Sequence, residues 1–340
     1  MIVKKIPILQ GFPALETVKY LSKAKNELSD YNPIFYDIET TGLSRYTAFV
    51  YLIGAVRFEQ NAWYLYQWMC ADEDEEALIL QEFYNFLIGA DCTIQYNGNR
   101  FDQPFLEERY RKHKMESPFW KILSLDLYQL LKPCQSLFKL TRMKQPDLES
   151  FAGIHKRKFC DGGQCIRLYK SFMKKNDADT AEIVMGHNEE DLLGLGRIFT
   201  LLSYKKLYDG EYRPVQGILL EQELKLVLEL PTDVPVSVSC GNAEFYLTVS
   251  GREAKMLVHL KEGKLRQYYK NYKDYDYIPG EDMAMPKSLT RYMDKSLRIA
   301  ATPQTCYTWF NCDEDFLNNE KKQMQYLTHT LSFYLNNFNK

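Results

Sequence analysis

The sequence has no long hydrophobic run. Its longest, Phe49 to Val56, falls far short of the ~18–20 apolar residues that cross a bilayer, so no membrane partner is expected. The first residues, Met1-Ile-Val-Lys-Lys, lack an apolar core followed by small cleavage residues, and no secretory signal is expected either. There is no dense cysteine framework: eight cysteines are scattered along the chain, which suits a reducing cytoplasm. Charge of one sign is also missing. With 43 Lys+Arg against 45 Asp+Glu the net charge is -2, so any case for a nucleic-acid partner has to come from local features. No internal repeat and no low-complexity tract is present.

What remains is a folded composition, 45% hydrophobic and 26% charged. At 340 residues the chain exceeds the roughly 250–300 at which single cores stop growing, which predicts two domains. Ile34 to Gly42 reads as a buried strand ending in a turn, Val50–Phe58 and Ala62–Met69 as a hairpin, and Cys92–Tyr96 as a fourth strand. Glu73–Ile88 and Phe101–Lys114 carry helical spacing, and Ala178–Tyr208 reads as one long helix capped by Asp177 or Asp179. Three strands followed by alternating helix and strand predict an α/β fold, a mixed β-sheet flanked by helices. After Asp209-Gly210 the pattern turns to short β stretches (Val236–Ser239, Phe245–Val249, Met256–Leu260) and a helix over Lys287–Arg298. The expected division is an extension over residues 1–30, a catalytic domain over 31–209 and a small α+β accessory domain over 210–340.

The chemistry-bearing residues are acidic. Side chains alternate along a strand, so Asp37 and Glu39 share one face while Ile34, Tyr36 and Ile38 take the other. Two carboxylates ~4 Å apart at an effective dielectric near 20 repel by about 4 kcal/mol, which water, a shared proton or a cation relieves. Asp102 follows the turn Asn97-Gly-Asn-Arg-Phe101. Asp191 lies four residues after His187 on the long helix, a spacing that places both on one face. Each piece alone is compatible with a solvated strand end, a helix cap or a surface histidine. Asp-x-Glu-Thr-Thr-Gly, Asn-Gly-x-x-Phe-Asp and His-x-x-x-Asp, in that order over about 155 residues, form a much rarer combination.

That combination resembles the DEDD 3′→5′ exonucleases of the RNase H-like superfamily, and more narrowly their YprB-like branch, over roughly residues 30–205. Asp37 and Glu39 match the first motif and Asp102 matches the second. His187 and Asp191 match the third in the His-Asn-x-x-Asp form of that branch. Asp126, in Ser124-Leu-Asp-Leu127, falls where the branch has an Asp-containing segment. The resemblance implies a metal-dependent 3′→5′ exonuclease that hydrolyses phosphodiester bonds of DNA or RNA, with an RNase H-like sheet and a nucleic-acid strand or 3′ end as partner. Asp37, Glu39, Asp102 and Asp191 would be metal ligands, and an all-oxygen set favours Mg²⁺ or Mn²⁺. Two such ions ~3.5–4 Å apart would clamp the scissile phosphate. His187 would deprotonate the attacking water. By the same resemblance Thr40, Gly42, Leu43, Asn97 and Phe101 would line the terminal nucleotide. The alternative is a catalytically degenerate RNase H-like protein that binds nucleic acid; clustered carboxylates, which repel phosphate, argue against it.

Three further features stand beside the motifs. Lys132 to Lys175 holds eleven basic and three acidic residues, a local +8 suited to phosphates. Cys160-x4-Cys165 with His155 resembles half a zinc knuckle, but no second pair follows at finger spacing. The tyrosine-rich stretch Gln267–Tyr277 is compatible with a half-exposed strand or with base stacking.

Overall fold

The computed structural model describes residues 1–23, 31–154 and 162–338. Two compact units emerge: Met1–Lys132 with Arg142–Leu202, and Pro133–Thr141 with Ser203–Lys340.

The first unit is built on β1 (Ile2–Ile8), α1 (Leu15–Leu21), β2 (Pro33–Thr40), β3 (Val50–Glu59), β4 (Ala62–Met69), α2 (Glu76–Leu87), β5 (Cys92–Gln95), α3 (Asp102–Lys112), β6 (Leu123–Asp126), α4 (Leu127–Leu131), α5 (Gln145–Phe151), α6 (Gly162–Lys175) and α7 (Ala178–Phe199). Its six strands lie in the order β1-β4-β3-β2-β5-β6. The first four pair antiparallel, whereas β5 and β6 run parallel to β2. This is the mixed sheet flanked by helices that the motif order predicts. Two of its strands were not expected. Ile2–Ile8, read from the sequence as part of an extension, is the edge strand beside β4; its exposure alternates, with Val3, Lys5 and Pro7 outward and Lys4 on the other face paired with Glu189, and lysine and proline on an edge are how it avoids pairing with other chains. Leu123–Asp126 closes the opposite edge.

Alternation divides the β2 side chains. Tyr36 packs on Phe83 of α2 and on Phe119. Phe35 points the other way, onto Phe12, Trp63 and Phe199 of α7. Asp37 and Glu39 share the Phe35 face, the one α7 covers. The expected long helix breaks after Phe199, where the Thr200 hydroxyl donates back to the Arg197 carbonyl and replaces the helical pattern with a turn. Asp177 is its N-cap, accepting from Thr180 N–H at 3.3 Å.

The second unit comprises α8 (Leu202–Asp209), β7 (Arg213–Leu220), β8 (Glu223–Gly241), β9 (Phe245–His259), β10 (Lys264–Tyr268), β11 (Tyr275–Ile278), β12 (Met283–Pro286), α9 (Lys287–Thr290), β13 (Ile299–Ala300), β14 (Tyr307–Asn311), α10 (Glu314–Leu317) and α11 (Glu320–Asn337). The stretches read as separate short strands are parts of β8 and β9, two long strands whose register shifts between Glu229 and Val234 and again before Val238. Pro231 and Pro235 lie at those shifts, where a missing N–H cannot be paired. The helix expected over Lys287–Arg298 shrinks to α9 and one 3₁₀ turn. Buried Asp276 binds both ends of the segment, accepting from the Thr290 hydroxyl at 2.5 Å and from Arg298 at 2.6 Å. The tyrosines are used in packing. Tyr268 stacks on Phe333 with centroids 3.7 Å apart, Tyr269 stacks on Tyr275, and the hydroxyls of Tyr277 and Tyr307 both donate to Asp282.

Candidate active site

The strand β2 delivers Asp37 and Glu39 onto the face under α7, and its register with β3 shifts between Glu39 and Thr40, beside the acids. Helix α7 can approach this closely because Gly54, paired directly with Asp37, has no side chain. A Cβ there would fall 1.9 Å from Asn188 Oδ1 and 2.6 Å from a Leu192 methyl. The space is filled by a buried amide chain. Gln67 Nε2 on β4 donates to Asn188 Oδ1 at 2.9 Å and to the Met185 carbonyl at 2.8 Å. Asn188 Nδ2 then donates to Asp37 Oδ2 at 2.9 Å. One oxygen of Asp37 is therefore oriented by the protein.

One turn of α7 brings His187 and Asp191 beside these acids. His187 Nε2 lies 3.2 Å from Asp191 Oδ2 and 3.4 Å from Glu39 Oε1. One ligand atom from each of Glu39, His187 and Asp191 falls within 4.8 Å of the others, the spacing of a group that can surround a cation. His187 Nδ1 is buried without a hydrogen-bond partner. Gln145 Nε2 on α5 holds Asp191 in place by donating to its carbonyl at 2.8 Å. Tyr51 donates to Glu39 Oε2 at 3.4 Å and is itself stacked on Tyr169 of α6.

Asp102 occupies the first position of α3 and is buried. Burial, helped by the charges of Asp126 and Asp191 and opposed by the backbone N–H groups of Asp102 and Ile38, pushes its carboxyl up to about 7. Asp37 is held well above the carboxylate range, first by burial and then by the charges of Asp191, Asp102 and Glu39, against the Asn188 hydrogen bond. The mutual influence of these groups places all five residues in one electrostatic neighbourhood. Four carboxylates with one imidazole are a hard, oxygen-dominated donor set that a divalent cation fits. A cavity of about 310 Å³ lined by Gln10, Glu149, Leu193, Gly194 and Arg197 contains none of them.

The remaining expected positions serve the surrounding turns. Thr40 Oγ1 donates to the Gly42 carbonyl at 2.8 Å, and Leu43, 86% exposed, projects from that turn. Asn97 sits at φ 59, a left-handed position, and Phe101 packs on Phe105. Asp126 is a brace. Its carboxylate accepts from the backbone N–H of Asn97 at 3.0 Å, Asn99 at 3.2 Å, Tyr128 at 3.0 Å and Gln129 at 3.4 Å, tying the turn before Asp102 to the start of α4. Of the half zinc knuckle, Cys165 is buried, while His155 and Cys160 lie outside the described residues, as do Lys156, Arg157 and Lys158 of the basic window. Gln67, Gly54 and Asn188 are what sequence reasoning missed. Asn188 stood inside the third motif and was given no role; the other two carry no signal that their own neighbours reveal.

Comparison with known proteins gives this architecture its class. The family model described as RNase_H superfamily matches residues 34–203, half of the chain, and the chain belongs to that superfamily. It is 28% identical over 189 residues to the protein named "Uncharacterized protein YprB" of Bacillus subtilis (strain 168), in an alignment that covers 54% of this chain and 44% of that protein. The chain thus spans under half the length of that relative. Among solved structures it is similar to the family B DNA polymerase from the hyperthermophilic archaeon Pyrobaculum calidifontis, at a TM-score of 0.43 and 13% identity, covering 52% of this chain and 26% of that one. It is similar also to E. coli Exonuclease I in complex with a dT13 oligonucleotide, at a TM-score of 0.33 and 12% identity, covering 65% and 55%. No described helix is long and apolar enough to cross a membrane.

Proposed function

We propose that the chain is a metal-dependent 3′→5′ exonuclease acting on phosphodiester bonds of DNA or RNA. The observation that supports this best is the gathering of Glu39, His187 and Asp191 within 4.8 Å of one another, with the charges of Asp37 and Asp102 felt beside them. Asp37, Glu39, Asp102 and Asp191 would hold two Mg²⁺ or Mn²⁺ ions, which supply Lewis acidity to the phosphate and acidify the attacking water. The chain's own contribution is positional. Asn188 fixes one Asp37 oxygen. Gln145 anchors Asp191 through its backbone. His187 presents Nε2 to the acids and would take the proton of the water. The turn carrying Thr40, Gly42 and Leu43, with Asn97 and Phe101 across from it in the motif order, would receive the terminal nucleotide. The test is incubation with end-labelled DNA and RNA oligonucleotides in Mn²⁺, Mg²⁺ or EDTA. A ladder shortened stepwise from the 3′ end, lost in EDTA, is expected. Intact substrate in every cation, with binding retained, would replace the nuclease with a non-cleaving binder.

A further inference from the structure

Helix α6 has two chemically opposite faces. Cys165, Tyr169 and Phe172 are buried, whereas Arg167, Lys170 and Lys174 are exposed. At about 100° per residue the three cations fall within roughly 60° of arc, diametrically across from the buried residues. The helix contains no Asp or Glu, and among the described residues none of the three cations meets a carboxylate. In the same unit Lys4, Lys5, Arg109 and Arg142 are each paired with an acid, whereas Lys112, Lys114 and Lys121 are exposed and meet none among the described residues, so what sets α6 apart is that its three cations stand in one file. Arg167 and Lys170 are three apart, and Lys170 and Lys174 four apart, so the like charges face each other along the helix and oppose its formation. No direct ion pair among the described residues offsets that repulsion, and a row of anions would.

The row is also fixed relative to the acidic cluster. On the buried side, Tyr169 stacks on Tyr51 with centroids 3.9 Å apart and planes 9° apart, and Tyr51 donates to Glu39. At the start of the helix, a Cβ on Gly162 would lie 4.0 Å from His187 Nε2. The helix therefore begins against the cluster and stays tied to it through Tyr169 and Tyr51, and its cations span about 10 Å along the axis. A single file over that length suits the successive phosphates of one strand.

We propose that Arg167, Lys170 and Lys174 bind the backbone phosphates of a single polynucleotide strand whose end lies among the carboxylates. The inference rests on the exonuclease reading for where the strand ends, but binding by this face is measured without cleavage. The experiment compares the wild-type chain, the triple variant Arg167→Gln/Lys170→Gln/Lys174→Gln, and a control, Lys112→Gln/Lys114→Gln/Lys121→Gln, which removes the same charge from exposed positions elsewhere in the unit. Fluorescent oligo-dT and oligo-rU of equal length are titrated in EDTA between 50 and 200 mM salt. Three phosphate contacts contribute about 2 to the slope of log affinity against log salt for a single strand, so the wild type should lose roughly 15–20-fold more affinity over that range than the triple variant. The control should follow the wild type. A triple variant with the wild-type slope, or a control that loses as much slope as the triple variant, overturns the proposal. Absence of cleavage by the wild type in Mn²⁺ counts against the exonuclease reading alone, since the EDTA titration still decides the binding face.

Discussion

Asp102→Asn should stabilise the metal-free protein, and increasingly so as pH rises. The carboxyl is buried at the start of α3 and has been moved from 3.8 to about 7. A group whose folded value lies above its unfolded value favours the folded state at low pH, and that contribution is lost as pH rises through the folded value. The span from 3.8 to about 7 corresponds to roughly 4 kcal/mol. At pH 5 the folded carboxyl is still protonated while most unfolded chains have released the proton; at pH 8 the folded chain must carry the buried charge as well. The neutral amide avoids both terms, and its oxygen still accepts from the Asp102 and Ile38 N–H groups. Its advantage over the wild type should therefore grow by about 2–3 kcal/mol between pH 5 and pH 8. Melting in EDTA reads this as a shift of the first unit's transition, with the difference between variant and wild type widening by about 5–10 °C. Mn²⁺ should raise the melting temperature of the wild type and raise that of the variant less, because the cation takes the place of the proton. A variant that melts below the wild type at pH 8 in EDTA, with no pH dependence of the difference, would refute the crowded-carboxylate account of the site.

Asp37→Ala should abolish cation-dependent cleavage of end-labelled oligonucleotides while circular dichroism stays that of the folded chain; wild-type cleavage would sink the role assigned to Asp37. Gly54→Ala should destabilise the first unit by about 1–3 kcal/mol, since the methyl meets the Asn188 amide and Leu192, and should weaken Mn²⁺ binding measured by calorimetry. Arg109→Ala should cost about 2–4 kcal/mol of stability in urea titration, because the buried Glu76 carboxylate loses the guanidinium that donates to it at 2.7 Å and keeps only His113 and the Val50 N–H. Asp126→Ala should lower stability by about 1–3 kcal/mol and also reduce cleavage, because four backbone N–H groups lose their acceptor and the turn leading into Asp102 is released.

What the sequence revealed in advance is what depends on near neighbours. Alternation along one strand places Asp37 beside Glu39, and the four-residue step along one helix places His187 beside Asp191. Both relations survive into the fold because each belongs to a single element. The Gln67–Asn188–Asp37 chain crosses from β4 to α7 to β2, and no spacing in the sequence encodes it. Gly54 is equally silent, since its lack of a side chain matters only once α7 lies over β3. The strand β1 was hidden by the lysines that protect it as an edge, and the long β8–β9 pair by register shifts that interrupt its alternation. Charge shows the distinction most sharply. The window from Lys132 to Lys175 sums to +8 whatever its residues do, yet Arg142 is paired with Asp147 at 3.1 Å, while Arg167, Lys170 and Lys174 meet no acid among the described residues. An ion-paired arginine has a partner to lose before it can meet a phosphate, and an unpaired lysine on a fixed helix has only water to shed. The face proposed to hold a strand is therefore smaller than the charge sum of its window.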